Sequence, residues 1–182
     1  VRVIDGQPQM IRRSKGYAPV PLFISAARET EEAVGKAEKN ADARGTVSAD
    51  GIDKSVMVLA TGGQLKNSFA LSKGQFSYVS QYFGDLDSAE NRALYEENVE
   101  RMKALFRIEP NAVACDLHPL YYTTQFAWRY ASEHAQNKGI EGGKESLPVI
   151  RVQHHHAHVA SVMAEHHIED TVIGVSMDGT GY

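Results

Sequence analysis

Apolar runs separated by glycine-containing turns, together with amphipathic stretches, predict an α/β fold for this chain. The short runs of β-branched and aromatic residues have the length of strands, and the longer stretches repeat apolar residues at helical spacing. Their alternation favours a mixed sheet with helical crossovers. In chain order the predicted elements are strands at 56–60, 68–71 and 76–80, a helix at 88–106, a strand at 112–115, a helix at 121–134, a strand at 148–152, a helix at 157–165 and a strand at 171–177.

The first predicted helix illustrates the amphipathic pattern. Its charged residues fall on one side, and its apolar residues are expected to form a stripe that faces the sheet. The residues assigned to this stripe are Leu94, Val99, Met102, Leu105 and Phe106.

The N-terminal third is organised differently. Residues 1–4 and 10–13 have extended patterns around a turn at Asp5 and Gly6, and the chain leaves them irregularly. Residues 26–54 are small and charged with almost nothing to bury, which predicts a flexible linker or insertion.

A histidine cluster is the most specific chemical signal. His154, His155, His156 and His158 stand where a strand is expected to turn into a helix. His154 and His158 are four residues apart, so they share a helix face and can chelate one divalent ion. Imidazole suits zinc, iron, copper or nickel better than magnesium or calcium. The other two histidines point elsewhere and are expected to support the ligands or contact substrate.

Three strand ends carry polar turns, the position at which open α/β sheets bind ligands. In the first turn, Gly62 and Gly63 let backbone N–H groups approach a phosphate, and Lys66 adds a positive charge. The spacing is not that of a P-loop, so a tight hairpin with a solvated lysine is an equal alternative.

The other two turns carry carboxylates. Asp116 and His118 follow a predicted buried strand, where a catalytic role and helix capping are equally expected. Asp178 follows the last predicted strand and precedes small residues. A crossover would return Asp178 to the histidines as a third metal ligand, with positions left open for substrate or water.

Composition excludes some classes of function. A net charge of −4 over 182 residues argues against a surface that coats nucleic acid, and no apolar run is long enough to span a membrane. The lone cysteine, Cys115, fits a reducing cytoplasm and is expected to be a small buried hydrophobic residue. Because the strand pattern is interrupted at both ends, we expect a fragment of a longer protein, inactive by itself.

Taken together, the motifs resemble the HypF family of hydrogenase maturation carbamoyltransferases. The motifs that carry the resemblance are RRSKGYAP at 12–19, GGQLKN at 62–67, QYFGDL at 81–86, CDLHPLY at 115–121, VQHHHAHVAS at 152–161 and MDGTGY at 177–182. The resemblance implies that residues 1–25 are the C-terminal tail of a YrdC-like domain and that 26–54 are an insertion. It implies that residues 55–182 are the first lobe, plus the opening strand of the second, of a TsaD-like domain with the actin/sugar-kinase/Hsp70 ATPase fold.

The resemblance also implies an activity. Carbamoyl phosphate and ATP would react through carbamoyl adenylate, and the carbamoyl group would pass to the C-terminal cysteine of HypE. This carbamoyl group would be the precursor of the cyanide ligands of [NiFe]-hydrogenase. His154, His158 and Asp178 match the family's ligands for iron or zinc. Catalytic roles are assigned to Asp116, His118 and His155, and contacts with nucleotide phosphates to Gly62, Gly63, Lys66, Asn67, Gly179, Thr180 and Gly181.

Three alternatives remain open at this stage. An antibiotic O-carbamoyltransferase shares the histidine-bearing lobe. A docking module that presents a surface to HypE without catalysis, and a plain metal-binding domain, belong to other functional classes.

Overall fold

The computed structural model describes residues 2–4, 6–9, 20–24, 56–137 and 144–179. Within them, two small antiparallel two-stranded sheets accompany one larger sheet and three helices. The strands are β1 (Arg2–Ile4), β2 (Gln7–Gln9), β3 (Pro21–Phe23), β4 (Met57–Ala60), β5 (Ala70–Lys73), β6 (Phe76–Val79), β7 (Ala112–Asp116), β8 (Gln136–Asn137), β9 (Lys144–Glu145) and β10 (Val149–Val152); the helices are α1 (Ala89–Phe106), α2 (Tyr122–Glu133) and α3 (His154–Glu165).

Six strands form one mixed sheet in the order β10-β7-β4-β5-β6-β3. The strands β10, β7 and β4 are parallel, whereas β4, β5, β6 and β3 are successive antiparallel neighbours. Helix α1 lies between β6 and β7 in the chain, and α2 packs against β7. The mixed sheet with helical crossovers that the sequence predicts is therefore confirmed.

The predictions fail at the two margins of this sheet. Residues 171–177 form no strand, and Ile173 and Met177 are almost fully exposed. An apolar run becomes a strand only when a neighbouring backbone satisfies its N–H and C=O groups, and no described strand pairs with this one. At the other margin, β3 pairs with β6 although its sequence gave no strand signal; proline is tolerated there because it begins an edge strand.

The N-terminal predictions are tested only in part. The extended pattern at 1–4 becomes β1, which pairs with β2 across the predicted turn at Gly6. The extended structure expected at 10–13, the basic motif that begins at residue 12, and the linker at 26–54 lie outside the described residues.

Helix α1 begins and ends through local signals in the sequence. The Ser88 hydroxyl accepts a hydrogen bond from the Asn91 N–H (3.1 Å), which caps the first turn. At the other end, Arg107 adopts a left-handed conformation with φ of 52° and donates its N–H to the Lys103 carbonyl. Among the described residues, no helix combines the length and apolar composition that crossing a bilayer requires.

The predicted apolar stripe of α1 is confirmed at Val99 and Met102 and is wrong at its two leucines. Tyr95, Val99 and Met102 are buried, whereas Leu94 and Leu105 are 43% and 68% exposed. Neighbouring residues on a helix point about 100° apart, so the choice of Tyr95 for the core turns Leu94 and Leu105 away from it. The two leucines were wrongly assigned to the core because ranking residues by hydrophobicity places tyrosine below leucine. A tyrosine can nevertheless be fully buried when its hydroxyl has a hydrogen-bond partner.

Tyr95 is the centre of the aromatic core. Its ring makes edge contacts with Phe69, Phe83 and Phe126, with ring centroids 5.3–5.6 Å apart. Its hydroxyl donates to the Thr61 carbonyl at 3.0 Å, and burial raises the pKa of the phenol well above its usual range. Since Thr61 directly follows β4, this single side chain joins the core to the start of the first polar turn.

We expect Tyr95→Phe to lower the free energy of unfolding by about 0.5–1.5 kcal/mol, because the variant keeps the ring contacts and loses the buried hydrogen bond. Urea denaturation followed by circular dichroism measures the change. The matched control is Tyr78→Phe, at a half-buried ring stacked on Phe106. Equal effects in the two variants would contradict a special role for the Tyr95 hydroxyl.

Candidate metal centre

The parallel register places three strand ends at one edge of the sheet. Ala60 at the end of β4 pairs with Ala114, and Val152 at the end of β10 pairs with Asp116. The Thr61 N–H donates to the Ala114 carbonyl (2.9 Å), so the chain beyond β4 stays beside β7. Residues that follow these strands therefore meet at the carboxyl edge, where α/β sheets bind ligands.

The histidine cluster begins α3, directly beyond this edge. Gln153 is the N-cap residue, and its side-chain oxygen accepts from the His156 N–H at 2.7 Å. His154 is thereby the first helical residue and His158 lies one turn later. Their Nε2 atoms are 3.2 Å apart, as the four-residue spacing predicts.

Asp178 joins the two histidines. Its Oδ2 atom lies 3.0 Å from Nε2 of His154 and 3.6 Å from Nε2 of His158. All three side chains offer one ligand atom within a span of 4.8 Å. The structure thus brings together the three residues predicted as metal ligands.

The spacing of these three atoms fits a tetrahedral transition-metal site. Donor atoms at the usual zinc distances of about 2.0–2.1 Å would be separated by about 3.3 Å along the edges of a tetrahedron. The observed separations of 3.0, 3.2 and 3.6 Å bracket that value. Two imidazoles and one carboxylate also leave a fourth position for water or substrate.

Asp178 reaches the histidines on a segment whose backbone approaches α3 closely at Gly174. At Gly174, an added Cβ would lie 2.4 Å from Cγ2 of Val159, so only glycine permits the observed approach. A groove between the helix and this segment is lined by His158, Asp178 and apolar side chains. A close contact of the backbone with α3, rather than a strand, carries the third ligand.

The structure places Asp116 behind His154. One carboxylate oxygen, Oδ2, lies 2.8 Å from Nδ1 of His154, and the other accepts from the His118 N–H at 2.9 Å. The Asp116 side chain is only 5% exposed. Asp116, which was assigned a catalytic role, is thus in direct hydrogen-bond contact with a predicted ligand.

The other two predicted catalytic histidines lie beside the three ligands rather than among them. The His118 Nδ1 atom accepts from the Leu120 N–H (3.2 Å), and the ring stacks on Tyr121 at 4.1 Å. His155 Nδ1 is 3.0 Å from Nε2 of Gln153, and the His155 ring meets the ring of His154 edge-on.

The glycine turn that begins at Gly62 lies against His154. A Cβ on Gly63 would be 3.6 Å from Cε1 of His154, and one on Gly62, whose φ is +72°, would be 2.3 Å from the Ser68 carbonyl. Asn67 is buried, and its amide donates to the carbonyls of Thr61 (3.1 Å) and Gly63 (2.6 Å). The Asn67 side chain therefore holds the shape of the turn.

Lys66 has an exposed side chain and a left-handed backbone with φ of 50°. Its N–H donates to Oδ1 of Asp85 at 2.8 Å, which stabilises this conformation. In the third turn Gly179 is exposed, while Thr180 and Gly181 lie outside the described residues.

Two titratable side chains in the motif at 115–121 have altered pKa values. Burial raises the pKa of the Tyr121 phenol, and the carboxylates of Asp116 and Asp178 raise it further, so the hydroxyl stays a donor at neutral pH. Burial likewise raises the pKa of the Cys115 thiol, with Asp116 adding to the effect and Arg151 opposing it. Cys115 is 4% exposed, which confirms the predicted small buried residue.

Sequence reasoning missed three contributors to this region. Gln64 accepts from the Tyr122 N–H (2.7 Å) and donates to Asp87 (2.9 Å), which ties the glycine turn to the start of α2. Tyr121 and Gly174 were not assigned any role. A signal existed only for Tyr121, which follows His118 by three residues in the same turn.

A family model described as the HypF Kae1-like domain matches residues 53–165 of the 182. The chain belongs to the HypF family. This match confirms the family resemblance carried by the motifs, and it includes the histidine pair, the glycine turn and Asp116.

HypF relatives match over almost the whole chain. Carbamoyltransferase HypF of Synechocystis sp. is 34% identical over 183 residues, which cover 100% of this chain and 18% of the relative. Carbamoyltransferase HypF of Rhizobium leguminosarum bv. viciae is 31% identical over 182 residues, with the same two shares. The chain therefore spans 18% of the length of these relatives.

Solved HypF structures have the same fold. A crystal structure of full-length HypF in the phosphate- and nucleotide-bound form superposes with a TM-score of 0.67 at 37% identity, covering 94% of this chain and 21% of that one. The crystal structure of T. kodakarensis HypF gives a TM-score of 0.70 at 30% identity, covering 100% and 19%. These identities support a shared family as well as a shared fold.

We expect Gly174→Ala to weaken binding of a divalent ion by about 1–3 kcal/mol, because the added methyl group overpacks against Val159 and moves Asp178 away from α3. Valine has few rotamers with which to yield. Titration with zinc against a chelating indicator measures the affinity. The double variant Gly174→Ala/Val159→Ala removes the clash and should regain most of the lost affinity. Wild-type affinity in the single variant would show that the close approach is not required.

Proposed function

We propose that the chain is part of a carbamoyltransferase that uses carbamoyl phosphate and ATP, through carbamoyl adenylate, to carbamoylate the C-terminal cysteine of HypE. The product would supply the cyanide ligands of [NiFe]-hydrogenase. Membership of the HypF family, whose relatives are named carbamoyltransferases, supports the reaction class. The chain spans only 18% of the length of the Synechocystis relative. The proposed activity is therefore that of the whole protein.

The single observation that carries the proposal is the meeting of His154, His158 and Asp178 at the carboxyl edge of the sheet, against the glycine turn. A transition metal bound there would supply a Lewis acid that polarises a carbonyl or phosphoryl oxygen. The protein's own contribution is to hold two imidazoles and a carboxylate at tetrahedral spacing. The donors suit a transition metal, and among these metals we propose iron or zinc because the three residues match the ligand positions of the HypF family.

The glycine turn is the proposed phosphate contact. Gly63 brings its backbone beside His154, Gly62 permits the tight turn before it, and Lys66 places an exposed positive charge on the same turn. Asn67 acts through the shape of the turn, because its side-chain NH2 group donates to two backbone carbonyls of the turn. A HypF relative solved in a phosphate- and nucleotide-bound form supports the binding of a nucleotide, which we propose to be ATP.

The proposed domain organisation follows the family. Residues 1–25 would be the tail of a YrdC-like domain, 26–54 a linker or insertion, and 55–182 a TsaD-like region. The start of the family match at residue 53 supports a boundary near residue 55. The family match also favours hydrogenase maturation over antibiotic O-carbamoylation.

The first prediction from this proposal concerns metal content. The purified protein should bind one divalent ion, and His158→Ala should reduce bound metal to background because the helical chelate is lost and three ligands become two. Mass spectrometry for elemental content measures both. The control is His166→Ala, at an exposed histidine at the end of the same helix, which should keep its metal. Equal metal in wild type and His158→Ala would rule out this site.

A second prediction concerns the charge of Lys66. In the full-length protein, Lys66→Ala should slow ATP-dependent carbamoylation of HypE about tenfold or more, a loss of at least about 1.4 kcal/mol of transition-state stabilisation. The melting temperature should hardly change, since alanine meets the same left-handed backbone constraint. Lys73→Ala removes an exposed lysine from β5 and serves as control. An unchanged rate would make Lys66 an ordinary surface residue.

A further inference from the structure

Strand pairing and a hydrogen bond from α2 fix the backbone position of Asp116. It is the last residue of β7 and pairs with Val152, the last residue of β10. Its carbonyl accepts from the Thr124 hydroxyl of α2 at 3.3 Å. Since His154 follows Val152 by two residues, the strand pairing fixes the distance between the carboxylate and the first metal ligand.

The two oxygens of Asp116 have different partners. Oδ1 accepts from the His118 N–H (2.9 Å), a fixed donor, and Oδ2 faces Nδ1 of His154 (2.8 Å). The backbone donor fixes the rotation of the carboxylate. Oδ2 is therefore committed to the ring of His154.

His154 is flanked by carboxylates on both ring nitrogens, so its tautomer is decided by competition. Asp116 lies 2.8 Å from Nδ1 with 5% of its side chain exposed, and Asp178 lies 3.0 Å from Nε2 with 29% exposed. The shorter contact in the drier environment gives the stronger hydrogen bond, because water screens the other. The single N–H of the neutral ring then belongs on Nδ1.

We propose that Asp116 is a positioning residue that fixes the tautomer of His154, with the proton on Nδ1 and the lone pair of Nε2 directed at the ion. A histidine can ligate only through an unprotonated nitrogen, and a carboxylate on the opposite nitrogen both orients the ring and makes it a better donor. This inference rests on the proposed metal site, although the tautomer itself is a property of the metal-free protein.

The geometry makes Asp116→Asn a selective test. The His118 N–H requires an oxygen acceptor, so the amide oxygen of Asn would take the place of Oδ1 and its NH2 group would face His154. Nδ1 would then have to accept, which moves the ring proton to Nε2 and blocks the lone pair intended for the ion. The variant changes the size of the side chain hardly at all.

Two measurements on the purified full chain test this. The ¹⁵N shifts of ¹⁵N-histidine-labelled, metal-free protein in alkaline buffer report the tautomer of the neutral ring, with His154 identified by the signal lost in His154→Gln. Zinc titration gives the affinity. We expect a protonated Nδ1 in wild type, a protonated Nε2 in Asp116→Asn, and about 10- to 100-fold weaker zinc binding in that variant.

The controls separate tautomer selection from charge and folding. Asp170→Asn removes the same charge from an exposed position and should keep wild-type affinity. Asp116→Glu retains a carboxylate and should recover much of the affinity lost with asparagine. If Asp116→Asn does not fold, the tautomer of His154 in the wild type and the zinc affinity of Asp116→Glu still test the role of Asp116.

The outcomes distinguish this inference from the proposed function. A wild-type ring protonated on Nε2, or undiminished zinc affinity in a folded Asp116→Asn, would overturn the role of Asp116. A wild-type protein with the proton on Nδ1 that binds no zinc would support the tautomer and overturn the metal site.

Discussion

Backbone hydrogen bonds between β7 and its two parallel neighbours determine where the glycine turn, Asp116 and the first histidine of the candidate site lie. They align the ends of β4, β7 and β10, so that the glycine turn, Asp116 and His154 emerge together. Tyr95 stabilises the end of β4 from the core, because its buried hydroxyl donates to the carbonyl of Thr61, the residue that follows this strand. The site depends on long-range strand register more than on the local conformation of any loop.

The order of strands and helices was predictable because each core element satisfies its own periodicity. The helical pair His154 and His158 was likewise visible, since four residues separate them on one face. What the sequence did not indicate was the contact between Asp116 and the first histidine of α3. Nothing local indicates that Asp116 faces a histidine 38 residues away. The same holds for the route of Asp178, which was expected after a strand and follows a segment whose backbone contacts α3 at Gly174.

The site divides its two carboxylates by environment. Asp116 is nearly dry and bonded to a fixed backbone donor, whereas Asp178 is partly exposed and close to both imidazoles. A buried, fully engaged carboxylate suits orientation, and a more exposed one suits exchange of ligands. Cys115, adjacent to Asp116, takes no comparable part, because burial raises its pKa and keeps the thiol protonated.

The path of the chain to Asp178 has a thermodynamic consequence. An ion held by His158 and Asp178 closes a loop of about 20 residues, which costs on the order of 2–3 kcal/mol in chain entropy. The observed affinity for the ion would therefore report the order of this segment as well as the chemistry of its donors. Any molecule that holds residues 172–178 against α3 would meet part of that cost beforehand. Such a molecule and the ion would then bind cooperatively without touching each other.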